Sequence, residues 1–475
     1  MPEITFANGK IYTEQEFERL GLEIMPIDER RDDGRRVFCE PEFIRRFAGD
    51  VYDDNLRFRH HKKDKGEWVL WTGKYWKAYN ETDIRNDINM LLFSARDTYK
   101  PATWKEHALD TIRSNLLRKW VDFDDHKRIS MEDGTYMVDN GQLKRGPHRK
   151  EDFCLNGLPY NLTAKKSEIW EKIQTNLFDD IMDRMALQEM FGACMFPGFS
   201  NQVIFNLHGD DGTGKTTIAR LLFQLLGEQR CTGLNLASIK NDTHILSTLQ
   251  HSWVNIDSES KGVEEEAERY YKRISGGDWN TINPKYVDPF QKLLFTKLII
   301  LTNELPHWND KSGALWSRLV LISFRKKQFG RELDNVLKDL KREGDSIASW
   351  AFVGLRRLLS KPEADQRRNR YTQSAYANAL WERNKELTNP MITWWNESVI
   401  IGTGNVAKHD AYHDWECWRQ RCGYKQISYI TFCTQVKNIF PNIEEDKSRS
   451  ISGRFARWKG VRLNRQENLL QHPPK

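Results

Sequence analysis

The sequence has no long apolar segment and no secretion signal. No stretch approaches the roughly 18 uninterrupted apolar residues of a membrane span. The first ten residues, MPEITFANGK, lack both the basic region and the apolar region of a signal peptide. We therefore expect neither a membrane span nor export from the cell.

Paired cysteines are also missing. The seven cysteines are odd in number and scattered, which favours reduced thiols in a cytoplasm over a disulfide framework. Only Cys417 and Cys422 lie close together in the sequence, with His413 nearby. A structural zinc ion takes four ligands and there is no second cysteine pair, so the pattern disfavours a zinc site.

Net charge is small for a chain of 475 residues. Lys and Arg number 73 against 67 Asp and Glu, which leaves a formal charge of +6. A partner that is a polyanion must therefore be recognised by local patches. Hydrophobic residues at 39% and charged residues at 29% are typical of globular domains, and the length suggests about two to four of them.

Aromatic residues are plentiful, at 12% of the chain with 17 Trp. Their usual use in small domains is to fill the core, and this is the interpretation we prefer. Stacking on nucleic-acid bases is the alternative, but the sequence assigns no particular Trp to it.

The pattern along the chain divides it into five parts. Residues 1–160 predict a mixed α+β domain with a hairpin in LRFRHHKKDKGEWVLWTGKYWKAY and helices from Asp83 to Phe93 and from His107 to Trp120. Residues 161–197 predict a helical collar of two amphipathic helices. Strands then alternate with helices over 198–360, which is typical of a largely parallel sheet. A linker (361–390), of which residues 361–370 look like a surface segment, and a small basic domain (391–475) complete the chain. The first helix of the collar is expected to bury one face formed by Ile169, Trp170, Ile173 and Leu177.

A phosphate-binding motif opens the alternating region. An apolar run from Val203 to Leu207 leads into GDDGTGKT, which satisfies the G-x-x-x-x-G-K-[ST] pattern and precedes a helical pattern. The glycines let backbone N–H groups close around nucleotide phosphates, and the helix N-terminus adds its positive end. Lys215 supplies a charge to the phosphates and the Thr216 hydroxyl ligates Mg²⁺. We expect ATP and Mg²⁺ as cofactors, with the nucleotide bound by Gly209, Gly212, Thr213, Gly214, Lys215, Thr216 and Thr217.

Polar residues end or begin the later apolar runs. WVNIDSE carries Asp257 and Glu259, and we assign Asp257 to Mg²⁺ and Glu259 to the attacking water; the reverse, or Glu259 in both roles, stays open. LIILTN ends in Asn303, which either orients that water or forms a turn before Pro. Arg318 heads a further run, where it either pairs within its own domain or reaches the nucleotide of a neighbouring subunit.

Four elements follow one another in the sequence: the phosphate-binding motif, WVNIDSE, LIILTN and the apolar run that begins at Arg318. In this order they resemble the motifs of the superfamily 3 helicases of viruses, phages and plasmids. The variety is similar to the phage and plasmid primase-helicase C-terminal region, which is related to the poxvirus primase-helicase. TNELP at 302–306 and the stretches LNGLPYNL, RYYKRISGGDWNTINPKYVDPFQ and EGDSIASWAFVGLRRLL carry the resemblance further. It covers roughly residues 40–360. One departure lies in the second motif, where Ser258 separates two acids that are adjacent in many relatives.

The resemblance implies an α/β fold with an AAA+-like P-loop ATPase domain over 198–360. It also implies a homo-hexameric ring that hydrolyses ATP and unwinds duplex DNA in the replication of a phage or mobile element, in a bacterial host cytoplasm. Asn303 would be the sensor and Arg318 the arginine finger in the neighbouring site. Lys285 and Tyr286 fill the place of a hairpin that contacts single-stranded DNA in the channel; an exposed hairpin without a ligand is the alternative.

A catalytic primase domain is not among the expected parts. The first 190 residues resemble the segment between primase and helicase, so we expect no primer synthesis from this chain and a separate primase or polymerase as a partner.

The last part of the chain is its most basic one. Residues 391–475 hold 13 Lys and Arg against 8 Asp and Glu, and no acid lies between Lys447 and Gln466. Two predicted helices and a hairpin look like the winged-helix module attached to many of these helicases. We expect it to bind DNA through Arg454, Arg457, Lys459 and Arg462, although a solvated basic face is the default for such a run.

Three other functions compete with a helicase. A replication initiator would bind and melt an origin and use ATP to control assembly. An ATP-gated nucleic-acid scaffold would show turnover that DNA does not stimulate. A small-molecule kinase is disfavoured because no Arg-rich lid follows the phosphate motif and TNELP would have no role in it.

Overall fold

The structure is a computed structural model, and its residues form two compact units. The first unit comprises residues 1–165, 196–199 and 286–290, and the second comprises 166–195, 200–285 and 291–475. The residues described are 3–16, 19, 27–30, 36–38, 44, 47–60, 66–94, 101–119, 127–162, 166–199, 202–236, 238, 243–258, 265–285, 288–305, 308, 314–326, 337–338, 342–362, 367–440, 443–450 and 453–464.

Among its described residues, the first unit contains four small sheets and two α-helices. Its strands are β1 (Glu3–Thr5), β2 (Ile11–Thr13), β3 (Ile27–Arg30), β4 (Arg36–Phe38), β5 (Leu56–His60), β6 (Glu67–Trp71), β7 (Trp76–Tyr79), β8 (Leu117–Lys119), β9 (Arg128–Met131), β10 (Gly134–Asp139) and β11 (Gln142–Gly146). Its helices are α1 (Glu81–Ser94) and α2 (Pro101–Asn115). The strands pair as β1–β2, β3–β4, β7–β6–β5–β8 and β11–β10–β9.

The hairpin expected in the first unit is confirmed. Strand β6 pairs antiparallel with both β5 and β7. The turn between β6 and β7 contains Gly73 at a φ of +90°, a value that favours glycine. Trp68 and Trp76 are buried, so these two tryptophans fill cores as expected.

The structure confirms one predicted helix of the first unit and shifts the other toward the N-terminus. The shifted helix begins at Pro101, before the predicted His107, and also ends earlier. Helix α1 includes the whole predicted span from Asp83 to Phe93. Helix α2 ends at Asn115 and not at Trp120, because residues 117–119 form β8 and pair with β5. The hydrogen bonds of this strand pairing replace those of a further helical turn.

Among its described residues, the second unit contains a parallel sheet, a separate two-stranded sheet, nine α-helices and a C-terminal sheet. Its helices are α3 (Glu168–Leu177), α4 (Ile181–Met195), α5 (Lys215–Leu226), α6 (Glu265–Gly276), α7 (Gly344–Leu359), α8 (Ala375–Thr388), α9 (Pro390–Ser398), α10 (Lys408–Arg421) and α11 (Tyr429–Ile439). Its strands are β12 (Ile204–His208), β13 (Cys231–Thr232), β14 (Val254–Asp257), β15 (Trp279–Ile282), β16 (Phe290–Leu293), β17 (Lys297–Thr302), β18 (Leu319–Ser323), β19 (Val399–Ala407), β20 (Glu445–Ser450) and β21 (Gly453–Leu463).

The parallel sheet predicted for the second unit is confirmed. Its order is β13–β14–β17–β12–β18, and every neighbouring pair is parallel. All residues of β17 and β18 are buried, as expected for strands covered on both faces. Strand β12 therefore lies between two fully buried strands.

The two collar helices differ from their predicted pattern. Trp170, Ile173 and Leu177 of α3 are buried as expected, but Ile169 is 43% exposed. Helix α4 is not amphipathic, because nearly all of its residues from Ala186 onward are buried. It packs against α7 through Gly192 and Gly354.

The segment after α7 is more buried than a surface linker. Arg370 donates from Nε to the carbonyl of Leu358 at 2.9 Å, and the Arg368 guanidinium lies 4.4 Å from the ring centroid of Trp381. Both arginines are buried. The surface position predicted for them is therefore wrong, since backbone carbonyl and ring contacts replace water around their charges.

The C-terminal part contains the two helices and the hairpin that were predicted. Helices α10 and α11 precede the β20–β21 hairpin, and β19 completes a sheet of order β19–β21–β20. Trp394, Trp415, Phe432 and Trp458 fill its core. Tryptophan is again mainly a core residue here.

No helix among the described residues is both long and apolar enough to pass through a bilayer.

The crossing of α4 and α7 generates the first prediction. A Cβ at Gly192 would overlap the carbonyl oxygen of Ala351, and one at Gly354 would overlap that of Gln188. We expect Gly192→Ala or Gly354→Ala to lower the free energy of unfolding by about 1–3 kcal/mol. Chemical denaturation measures this change. Gly233→Ala is the control, because its Cβ would lie 3.8 Å from the nearest atom. Equal midpoints for all three variants would contradict close helix packing.

Candidate functional site

The carboxyl ends of three parallel strands meet at one edge of the sheet. His208, the last residue of β12, is in register with Thr302 at the end of β17. Asp257, the last residue of β14, is in register with Ile300. The sheet order places β17 between the other two strands, so Asn303 follows the central strand of the three.

The loop after β12 has a backbone that requires glycine. Gly209, Gly212 and Gly214 have φ values of +155°, +75° and +94°. A Cβ on Gly209 would overlap the carbonyl oxygen of Phe324, directly after β18. The Gly209 N–H donates to the carbonyl of Thr302 at 3.2 Å. We refer to residues 209–214 as the glycine-rich loop. Contacts with β17 and with the residue after β18 therefore fix the first residue of this loop.

Helix α5 begins directly after the glycine-rich loop. Gly214 is its N-cap residue and no side chain caps the helix. The first N–H groups of a helix have no acceptor within it, and they carry the positive end of the helix dipole. Thr216 is exposed and Thr217 is half-buried in this first turn, while Thr213 donates to the Asp210 carbonyl at 2.7 Å.

The Lys215 ammonium lies among oxygen atoms of the loop and of β17. Its Nζ donates to the carbonyls of Gly209 (2.5 Å) and Asp210 (2.8 Å) and to Oδ1 of Asn303 (2.9 Å). The residue is 8% exposed, and burial lowers the pKa of the ammonium below its ordinary value. The carbonyl dipoles and the amide oxygen stabilise a positive charge at this position.

Asn303 connects the lysine with the loop. Besides accepting from Lys215, it donates from Nδ2 to Oδ1 of Asp211 at 2.8 Å. Sequence reasoning did not select Asp211, which occupies one of the unspecified positions of the motif. The structure thus brings Lys215 and Asn303 together, with Asp211 as an additional member.

Asp257 is buried at the same sheet edge. Tyr271 of α6 donates its hydroxyl to Oδ2 of Asp257 at 3.1 Å. The carboxylate is 3% exposed, and this hydrogen bond orients it. Tyr271 was not selected from the sequence, where it belongs to an ordinary helical pattern. Glu259 lies outside the described residues.

Arg318 contacts its own chain beside the end of α6. It donates from Nη1 to the carbonyl of Lys272 at 2.6 Å and to Oγ of Ser275 at 3.1 Å. Arg318 immediately precedes β18, and Phe324, which contacts Gly209, immediately follows it. One strand therefore separates the arginine from the glycine-rich loop.

Lys285 is exposed just beyond β15. Strands β15 and β16 form a two-stranded sheet, as a hairpin at this position requires. Tyr286 lies outside the described residues.

Three of the four basic residues predicted on the C-terminal hairpin share one exposed face. Arg457 and Lys459 are exposed on one side of Trp458, and Arg462 is exposed beyond Val461. Strict alternation would put Arg462 on the opposite face from Lys459. The irregular register between β19 and β21, with Gly460 at a φ of +72°, reverses the alternation at that point.

The fourth residue, Arg454, lies on β21, and its side chain is not described.

The cysteines and histidine noted in the sequence do not form a metal cluster. Cys417 Sγ lies 3.8 Å from Nδ1 of His413. In the part of the chain that the structure describes, no three His, Cys, Asp or Glu side chains are grouped as metal ligands.

Two family models match separate segments of the chain, and the first match extends past residue 165 into the second unit. A family described as "D5 N terminal like" matches residues 46–179, and a family of unknown function, DUF5906, matches residues 207–318. The second segment includes the glycine-rich loop, Asp257, Asn303 and Arg318.

Primase D5 of fowlpox virus (strain NVSL) is 22% identical over 180 residues, which cover 34% of this chain and 22% of the relative. The similarity thus spans about a fifth of that protein. These sequence matches fit the primase-helicase family that the motifs resemble.

Solved structures of the NrS-1 C-terminal region are also similar. One apo structure has a TM-score of 0.47 and 11% identity, and covers 87% of this chain and 98% of that one. A second, of its residues 305–718, has a TM-score of 0.46 and 12% identity, with the same coverage of both chains.

His208 generates a prediction about pH. Burial, and then the nearby charge of Lys215, lower the pKa of this histidine below its ordinary value of 6.5. The unfolded chain therefore takes up a proton as the pH falls through 6.5, while folded His208 stays neutral to a lower pH. This difference lowers the stability on acidification and has no effect well above pH 6.5.

We expect His208→Asn to lose less stability than the wild type between neutral and mildly acidic pH. Denaturation midpoints across that range measure the difference. His244→Asn serves as the control for removal of a histidine. A wild-type pH dependence in His208→Asn would show that His208 is not responsible.

Proposed function

We propose that the chain is an ATP hydrolase and a ring-forming DNA helicase of the superfamily 3 type that acts in replication. The observation that carries this proposal is the Lys215 ammonium, which lies at the start of α5 between the glycine-rich loop and Asn303. The matches to the D5 N terminal like family and to a poxvirus primase support the replication role.

The loop geometry suits a triphosphate. The positive end of α5, the loop N–H groups and the Lys215 ammonium would all face the phosphates. Phosphate oxygens would replace the carbonyls of Gly209 and Asp210 as partners of Nζ, and a charged partner strengthens such hydrogen bonds. The positive φ values let the backbone turn around the phosphates where a Cβ would interfere.

The oxygen ligands at the sheet edge suit Mg²⁺. The exposed Thr216 hydroxyl and the buried Asp257 carboxylate would hold the ion, and Tyr271 orients that carboxylate. When bound, Mg²⁺ neutralises charge on the phosphates. We assign activation of the water to Glu259 and its orientation to Asn303, which is already fixed by two hydrogen bonds.

The role between subunits that we propose for Arg318 rests on its place in the order of the motifs, because the contacts it makes lie within its own chain. Its guanidinium is held at the end of α6 in its own chain. We assign Arg318 to the nucleotide of the next subunit in a homo-hexamer, where its charge would stabilise the transferred phosphoryl group. Each site would then require residues from two copies of the chain.

The C-terminal part suits a winged-helix module. Its order α9–β19–α10–α11–β20–β21 combines three helices with a three-stranded sheet. Arg457, Lys459 and Arg462 present three positive charges on one face of β21, which fits the phosphates of duplex DNA. We propose residues 391–475 as this DNA-binding domain and 198–360 as the AAA+-like ATPase domain.

Replacing Lys215 tests the hydrolase. We expect Lys215→Ala to abolish ATP hydrolysis and the unwinding of forked DNA, because the charge on the phosphates is lost. Arg220→Ala is the control, since it removes an exposed charge from the same helix.

Mixtures of Lys215→Ala with Arg318→Ala should recover part of the activity, because some interfaces between subunits combine an intact Lys215 with an intact Arg318. Full hydrolysis by Lys215→Ala, or by strictly monomeric wild-type protein, would refute the proposal.

Substitution of the basic residues on β21 tests the binding of duplex DNA. We expect the triple variant Arg457→Ala, Lys459→Ala, Arg462→Ala to bind duplex DNA more weakly. The slope of log K against log salt should become shallower by about 0.9 for each phosphate contact removed. The control removes equal charge from exposed positions elsewhere in the unit: Lys166→Ala, Lys172→Ala and Arg220→Ala. Equal weakening in both triple variants would indicate a general charge effect.

The same basic face also supports the alternative of an origin-binding initiator. Footprinting on the DNA of the element that encodes the chain separates the two, because an initiator protects a preferred site and a helicase without origin recognition does not.

A further inference from the structure

Among the tryptophans whose burial the structure describes, Trp279 is the most exposed. It is 61% exposed, whereas Trp68, Trp76, Trp170, Trp316, Trp394 and Trp458 are no more than 2% exposed. It is the first residue of β15, in the second unit. A large aromatic ring facing solvent loses apolar burial, so its exposure needs a reason other than packing.

The backbone that carries Trp279 is firmly held. Arg273 donates from Nη2 to the Trp279 carbonyl at 2.5 Å, and the Asp278 N–H donates to the Arg273 carbonyl at 3.0 Å. The next residue, Asn280, is fully buried and donates from Nδ2 to the Asp278 carbonyl at 2.8 Å. The exposed ring therefore projects from fixed backbone, which lowers the entropy cost of holding a ligand against it.

The exposed face of the β15–β16 sheet is polar around this ring. Trp279 and Thr281 are exposed, while Asn280 and Ile282 between and after them are buried. Gln291, exposed on β16, donates from Nε2 to Oγ1 of Thr281 at 2.8 Å. This face combines a ring for stacking with hydroxyl and amide groups for hydrogen bonds.

The same strand leads to a positive charge. Lys285 is exposed three residues after the end of β15, at most ~20 Å from Trp279 along an extended chain. Bases stack on aromatic rings whatever their sequence, and lysine neutralises the backbone phosphates beside them. The two residues thus offer a ring for a base and a charge for a phosphate of one strand.

A second copy of the chain is a weaker candidate for this face. Protein interfaces centre an exposed tryptophan in an apolar patch. Among the described residues from 265 to 305, no other large hydrophobic side chain is exposed. The exposed residues next to Trp279 along the chain are Gly277, Asp278 and Thr281, and none of them extends an apolar patch.

We propose that Trp279 is a stacking residue for single-stranded DNA, on a path that continues to Lys285. This inference rests on the proposed function, because a helicase must contact a single strand of DNA, and it extends the contact that the family resemblance implies for Lys285. Trp279 contributes to the affinity by stacking of its ring on a base, which salt does not weaken. Lys285 contributes by its charge on a phosphate, which salt does weaken.

Binding of fluorescein-labelled oligothymidylate, followed by anisotropy without nucleotide, tests the proposal. Trp279→Ala should weaken binding about tenfold or more, with the slope of log K against log salt unchanged. Trp279→Phe should retain most of the affinity, because a ring remains. Lys285→Ala should lower the slope by about 0.7, the value for one phosphate of a single strand. In the wild-type protein, oligothymidylate should quench tryptophan fluorescence, and Trp279→Phe should lose most of that quenching.

Wild-type affinity in Trp279→Ala, or no binding by the wild-type protein, would overturn the inference. A lower assembly mass for Trp279→Ala would also overturn it, because the ring would then be a contact between subunits. Failure of the proposed function is distinguishable: it appears as wild-type protein without Lys215-dependent ATP hydrolysis, a measurement that involves no DNA.

Discussion

The contact between the Lys215 ammonium and Asn303 depends on the parallel arrangement of β12 and β17. Parallel pairing sends both carboxyl ends to one edge, and the register of His208 with Thr302 puts the loop and the asparagine at the same height. An antiparallel neighbour would have placed its carboxyl end at the far edge. The close approach of Gly209 to Phe324 fixes the loop from the other side. The site is thus a consequence of sheet topology before it is one of individual side chains.

Sequence patterns predicted the sheet well because its strands are nearly continuous apolar runs bounded by glycine and polar residues. The motif placed Lys215 at a helix start, and the strand ends located Asp257 and Asn303. The contacts of Asp211 and Tyr271 were not predictable, because they depend on which residues of the loop and of α6 face the sheet edge.

The errors in prediction have physical causes of the same kind. Strand pairing ended α2 before Trp120, and burial in the second unit removed the amphipathic pattern of α4. Arg368 and Arg370 have the composition of a surface segment but satisfy their charges on a ring and a carbonyl. The irregularity at Gly460 reversed the face of Arg462, which no period-two pattern can anticipate. In each case a distant partner outweighed a local preference.

Strand β18 has a mechanical consequence for any assembly in which Arg318 faces a neighbour. Its five residues are buried and hydrogen-bonded to β12, and they span about 17 Å. A strand held in this way moves as a rigid rod. Displacement of the guanidinium at one end would therefore shift Phe324 at the other end, and with it the first glycine of the subunit's own loop. In the proposed hexamer, a contact of Arg318 with a neighbouring subunit would thus be transmitted to the glycine-rich loop of its own subunit.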